Sequence, residues 1–69
     1  MEEKKLKNTL KIQRAIHNLT QEQLAVLVGV TRKTINTVEN GVYIPSTYLA
    51  LKLSNVLNVT VEELFQLYD

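Results

Sequence analysis

The chain has 69 residues, a formal net charge of +1 and no cysteine. That length suits one domain with one small core, worth roughly 3–5 kcal/mol of net stability unless something helps. Disulfides are excluded, a lone histidine argues against a zinc site, and no stretch approaches the roughly 18 consecutive apolar residues of a membrane span.

The charged start, MEEKKLKN, runs into an amphipathic segment with no apolar signal core, so the expected location is cytoplasmic. Charge is unevenly placed. Seven of the eight basic residues lie in residues 1–33 beside three acids, while residues 34–69 hold one base against four acids. This suits one anion-facing side and one acidic side, although a solvated mixed surface gives the same totals.

The pattern predicts an all-α fold of five helices. The first runs from Lys4 or Asn8 to His17, with Leu6, Leu10 and Ala15 inward and the lysines outward. Thr20 followed by Gln23 is a capping box that opens the second helix, with Leu19 and Leu24 as its hydrophobic staple. Thr31 caps the third, stapled by Val30 and Ile35. Gly29 suits the left-handed position that closes the second helix, and Asn40-Gly41 closes the third. Asn-Gly is also a hairpin signal, but helical periodicity precedes it. Val42 to Pro45 reads as an extended loop. Ser46 caps a fourth helix, Thr47–Leu57, whose stripe is Leu49, Ala50, Leu53, Val56 and Leu57. Thr60 with Glu63 repeats the capping box, stapled by Val59 and Leu64, and starts a fifth helix, Val61–Tyr68, with Leu64, Phe65 and Tyr68 on one face. Strand signals are weak throughout.

Residues 21–41, QEQLAVLVGVTRKTINTVENG, are the most constrained part. Leu24 and Val28 share one helical face; Val30, Ile35 and Val38 resume it beyond Gly29. Ala25 stands where a larger side chain would hold two crossing helices apart. Two helices crossing over so short a turn make a helix-turn-helix, whose second helix can enter the DNA major groove. That helix turns Arg32, Lys33, Thr34, Asn36, Thr37 and Asn40 outward, without an acid among them.

The chain resembles the Cro/repressor-type, Xre-like helix-turn-helix regulators from about Leu6 to Phe65. The most specific parts are LTQEQLA at Leu19–Ala25, VGVTRKTI at Val28–Ile35 and VENG at Val38–Gly41. IPS at Ile44–Ser46 through VTVEELF at Val59–Phe65 is similar to the family's closing helices. The resemblance implies a compact five-helix DNA-binding domain, residues 1–69, with the motif at 21–40. It further implies that Gln21 anchors the DNA backbone and braces Arg32, and that Arg14 pairs with Glu39.

Arg32 and Lys33 stand at a helix N-terminus, where the dipole disfavours cations facing only solvent and phosphates would favour them. Arginine there can grip guanine through a bidentate fork, Lys33 can reach a guanine or a phosphate, and Thr37 can touch a thymine methyl or base edge. Arg32, Lys33, Asn36 and Thr37 are therefore the expected base contacts. Gln21, Thr31, Thr34, Asn40 and Tyr43 are the expected backbone contacts, with Asn36 able to serve there too. Tyr43 lying flat as loop packing is the alternative.

An enzyme is not expected. His17 stands near a helix end where it can meet free carbonyls, and Glu62 and Glu63 are helix-start charges rather than a catalytic pair. There is no phosphate-cradling glycine loop, and no cofactor or metal is implied. Two half-sites normally need a two-fold dimer. The apolar end ELFQLYD suggests a symmetric interface formed by Val61, Phe65, Leu67 and Tyr68, against ordinary exposure of scattered apolar residues. The expected partners are double-stranded DNA and a second copy. The expected function is a dimeric regulator, a repressor, on a short palindromic operator. The alternatives are an antitoxin-type autoregulator, disfavoured by the lack of a tail to wrap a toxin, and a coactivator-type interaction module, disfavoured by Arg32 and Lys33.

Overall fold

The computed structural model describes residues 6–68. In chain order these form β1 (Leu6–Asn8), α1 (Leu10–Ile16), α2 (Gln21–Val28), α3 (Arg32–Glu39), α4 (Thr47–Leu57), α5 (Val61–Leu64) and β2 (Phe65–Leu67). The five helices match the expected number. Among the described residues no helix is long and apolar enough to cross a membrane.

Local chemistry explains the helix starts. Thr20 accepts from the Gln23 N–H while the Gln23 side chain accepts from the Thr20 N–H, and Thr60 and Glu63 do the same. Thr31 accepts from the Thr34 N–H and Ser46 from the Leu49 N–H. Each hydroxyl satisfies a backbone donor that the helix itself leaves unpaired. Replacing Thr20 or Thr60 with alanine should lower stability by about 1 kcal/mol each, read as a fall in the urea midpoint at unchanged slope.

The apolar stripes converge on one core of Leu10, Leu24, Ala25, Val28, Ile35, Val38, Leu49, Leu53, Leu57 and Leu64. Leu19, Val30 and Val59 pack against its edge, so each staple has one buried and one half-buried member. His17 Nδ1–H donates to the Gln13 carbonyl at 3.0 Å, the helix-end role expected of it.

The two ends differ from expectation. Residues 6–8, within the first helix if it began at Lys4 and reaching its first residue if it began at Asn8, form a strand instead, and residues 65–67 of the expected fifth helix form its antiparallel partner. Leu6 faces Leu67, Lys7 faces Gln66 and Asn8 faces Phe65. Helix α5 stops because its last carbonyls have other donors. The Thr9 N–H donates to the Leu64 carbonyl at 2.9 Å and the Thr9 hydroxyl to the Glu63 carbonyl at 2.8 Å. The Gln66 side-chain amide donates to the Glu62 and Glu63 carbonyls. Phe65 then turns extended, at φ −129° and ψ 129°. Tyr68 therefore lies beyond a strand, not on a helix face with Leu64. Ala15, expected to point inward, is exposed, and Leu10 is the one buried residue of α1. Lys4, the earlier of the two proposed starts, lies outside the described residues.

Candidate nucleic-acid interface

Ala25 is 1% exposed, and the small side chain lets α2 and α3 approach closely. The turn between them is set by Gly29 at φ +76°. A Cβ there would meet nothing within 4 Å, so the backbone angle rather than space calls for glycine. The Val30 N–H returns to the Ala25 carbonyl at 3.0 Å, and Thr31 at once caps α3. Three residues thus end one helix and aim the next outward.

On the outer face of α3, Arg32, Lys33, Asn36 and Asn40 are exposed, while Thr34 and Thr37 are half-buried. No acid stands in the first turn of α3. Lys33, Thr34, Thr37 and Tyr43 come together with Val42 around a shallow hollow of about 310 Å³. Thr37 and Tyr43 are joined there by the backbone, because the Val42 and Tyr43 N–H groups both donate to the Thr37 carbonyl. The Thr37 hydroxyl donates to the Thr34 carbonyl at 3.0 Å. Its single proton is thereby used, so Thr37 offers an outside partner only acceptor lone pairs and its methyl group. Val42 was not foreseen. It is 77% exposed beside the predicted contact residues, and a lone valine in a loop carries no periodicity that would single it out.

Behind this face lies a polar cluster. Arg14 Nε donates to Glu39 Oε2 at 2.6 Å and Arg14 Nη2 to Glu39 Oε1 at 3.2 Å, so the expected ion pair forms as a bidentate fork. The Glu39 side chain is 3% exposed. Arg14 Nη1 also donates to the Leu19 carbonyl, tying the α1–α2 turn to the same guanidinium. Gln21 is bonded elsewhere than to Arg32. Its Nε2 donates to Asn36 Oδ1 at 3.1 Å and to Glu39 Oε1 at 3.0 Å, so its amide hydrogens brace Asn36 and the ion pair rather than Arg32. Position in the motif located Gln21; the buried acceptor Glu39 decides which neighbour it holds.

The four expected interface residues divide into two sets. Val61 and Phe65 are half-buried and line a groove of about 600 Å³ with Leu6, Pro45, Ala50 and Leu51. Leu67 and Tyr68, at 70% and 58% exposed, lie on or beside β2. Strand alternation puts Leu6, Phe65 and Leu67 on one face of the sheet, and the first two of them line the groove. Lys7 approaches the Tyr68 ring on the other side, 5.7 Å from its centroid.

A helix-turn-helix family model matches residues 10–64. An uncharacterised helix-turn-helix-type transcriptional regulator of Methanocaldococcus jannaschii is 50% identical over 60 residues, covering 87% of this chain and 91% of the relative. Another, from Bacillus subtilis, is 42% identical over 64 residues, covering 93% and 97%. Among solved structures, the restriction-modification controller protein C.AhdI of Aeromonas hydrophila matches with a TM-score of 0.73 at 35% identity, over 78% of this chain and 82% of that one.

Proposed function

The chain belongs to the Xre-like helix-turn-helix family of DNA-binding transcriptional regulators, and from that premise we propose a sequence-specific repressor that binds a short palindromic operator as a homodimer. The carrying observation is the exposed pair Arg32 and Lys33 at the N-terminus of α3, on a helix whose position is fixed by the Arg14–Glu39 fork behind it. In the major groove Arg32 reads guanine, Lys33 a guanine or a phosphate, and Asn36 and Thr37 the next base edges. Thr31, Thr34, Asn40, Tyr43 and the face of Gln21 fix the register on the phosphates. Occupancy of the operator blocks polymerase, in the cytoplasm, without a cofactor or catalytic step.

A single helix-turn-helix reads few base pairs, so a second copy supplies the other half-site about one helical turn away. The face formed by Val61, Phe65 and Leu67, extended by Leu6 and Leu51, is the apolar surface assigned to that contact, with Tyr68 at its rim on the other side of the sheet. Its residues come from the two chain ends and α4, on elements other than the reading helix, so a two-fold axis there leaves α3 free.

The experiment is selection from a pool of random duplexes, with sedimentation of the protein alone and of Leu67→Lys. The expected result is a palindrome with half-sites near one turn apart, affinity falling with salt along a slope set by the phosphate contacts, and a dimer that Leu67→Lys dissociates. A strictly monomeric protein at high concentration removes the homodimer. Weak, uniform binding with no enriched motif removes the DNA reader and leaves the interaction-module reading.

A further inference from the structure

Glu39 Oε1 accepts from Arg14 Nη2 and lies 3.0 Å from the Gln21 side chain. A carboxylate held in this way has no proton to give, so the Gln21 group facing it is the amide nitrogen, not the oxygen. The same nitrogen lies 3.1 Å from Asn36 and gives its second hydrogen to Asn36 Oδ1. Asn36 thereby turns its carbonyl toward α2. Its amino group is what remains for a partner outside, and the residue is exposed.

We propose that this chain of hydrogen bonds, from Arg14 through Glu39 and Gln21 to Asn36, fixes Asn36 as a hydrogen-bond donor toward DNA and makes it select guanine. The inference rests on α3 being the helix that reads DNA. An unrestrained asparagine prefers adenine, because it accepts from N6 and donates to N7 together. Here the carbonyl is turned toward α2, and Gln21 holds one of its two lone pairs. The amino group alone suits guanine best, whose N7 and O6 are both acceptors; adenine offers it N7 alone beside a competing amino group, thymine O4 alone, and cytosine only an amino group. Gln21 acts as a positioning residue: it sets the polarity of Asn36 without itself choosing the base.

The test is random-duplex selection with the full chain and with Asn36→Asp and Gln21→Ala, recording the melting temperature of each. The position read by Asn36 is the one whose preference changes in Asn36→Asp, where an acceptor replaces the donor. That position is expected to carry guanine over adenine by about ten-fold or more in the unaltered chain, and to turn toward cytosine in Asn36→Asp. In Gln21→Ala the freed amide accepts adenine there to within about three-fold of guanine, while the other positions keep their order. Adenine preferred by the unaltered chain, no position altered by Asn36→Asp, or an equal loss on all sequences in Gln21→Ala with guanine still selected would each overturn the proposal. A chain that enriches no motif fails earlier, at the DNA-reading premise, and the proposal falls with it.

Discussion

Arg14→Ala is expected to cost about 3–5 kcal/mol of stability, enough to leave the domain largely unfolded at room temperature. The size follows from where the partner is. A solvent-exposed ion pair contributes about 0–1 kcal/mol, because water replaces either partner. Glu39 is 3% exposed, and water has little access to it. Removing Arg14 leaves the carboxylate with Gln21 as its one remaining side-chain donor among the described residues, and it orphans the Leu19 carbonyl at the α1–α2 turn. The pair itself need contribute little in net terms, since burying both charges costs nearly what their attraction returns. The penalty lies in breaking one side. Urea unfolding of Arg14→Ala, Glu39→Ala and the double variant separates these. The double variant should be much closer to the worse single than to their sum. Strict additivity would mean that the two side chains are not energetically coupled.

The parts of this fold readable from the sequence are those governed by short-range chemistry. Thr20, Thr31, Ser46 and Thr60 cap helices because a hydroxyl three residues before an unpaired N–H is a local geometric fact, independent of the rest of the chain. The Arg14–Glu39 fork was reachable because the family resemblance supplied a long-range pairing that spacing cannot. The ends were misread for the opposite reason. Val61, Leu64, Phe65 and Tyr68 fit a helical face, and nothing local says that Thr9, 54 residues earlier, will donate to the Glu63 carbonyl and end the helix there. Once that happens, the alternation Phe65–Gln66–Leu67 becomes the operative period and pairs with Leu6–Lys7–Asn8. Asn8 shows the same limit. Its side chain accepts from the Leu10 N–H and donates to the Val38 carbonyl near the end of α3, and only the second contact needs the folded chain. At the candidate site, the outward residues of α3 followed from periodicity. The bond from Gln21 to Asn36 did not, because it depends on which neighbour occupies the buried end of the cluster.

Arg32→Ala is expected to remove preference for guanine at one position of each half-site and to weaken operator binding by about 1–3 kcal/mol per protomer. On a two-fold dimer both half-sites lose the contact, so the total is about 2–6 kcal/mol, or roughly thirty-fold to twenty-thousand-fold in affinity. The argument begins with a cost. Arg32 and Lys33 sit in the first turn of α3, where the positive end of the helix dipole repels them and no acid stands in that turn to offset it. Both are exposed, so neither is retained for packing. Against DNA the sign reverses, since phosphates and guanine acceptors face that end. Folding stability should therefore stay constant or rise slightly in Arg32→Ala while binding falls, a combination that damage to the fold cannot produce. Lys33→Ala separates charge from reading. If Lys33 serves a phosphate, its loss lowers binding on every sequence and reduces the salt slope by about one per protomer, with base order intact. Measuring the enriched motif and the salt slope for both variants decides the assignment. An Arg32→Ala chain that keeps its base preference and loses only salt dependence would make Arg32 a phosphate contact, and the base-reading role would pass to Asn36 and Thr37.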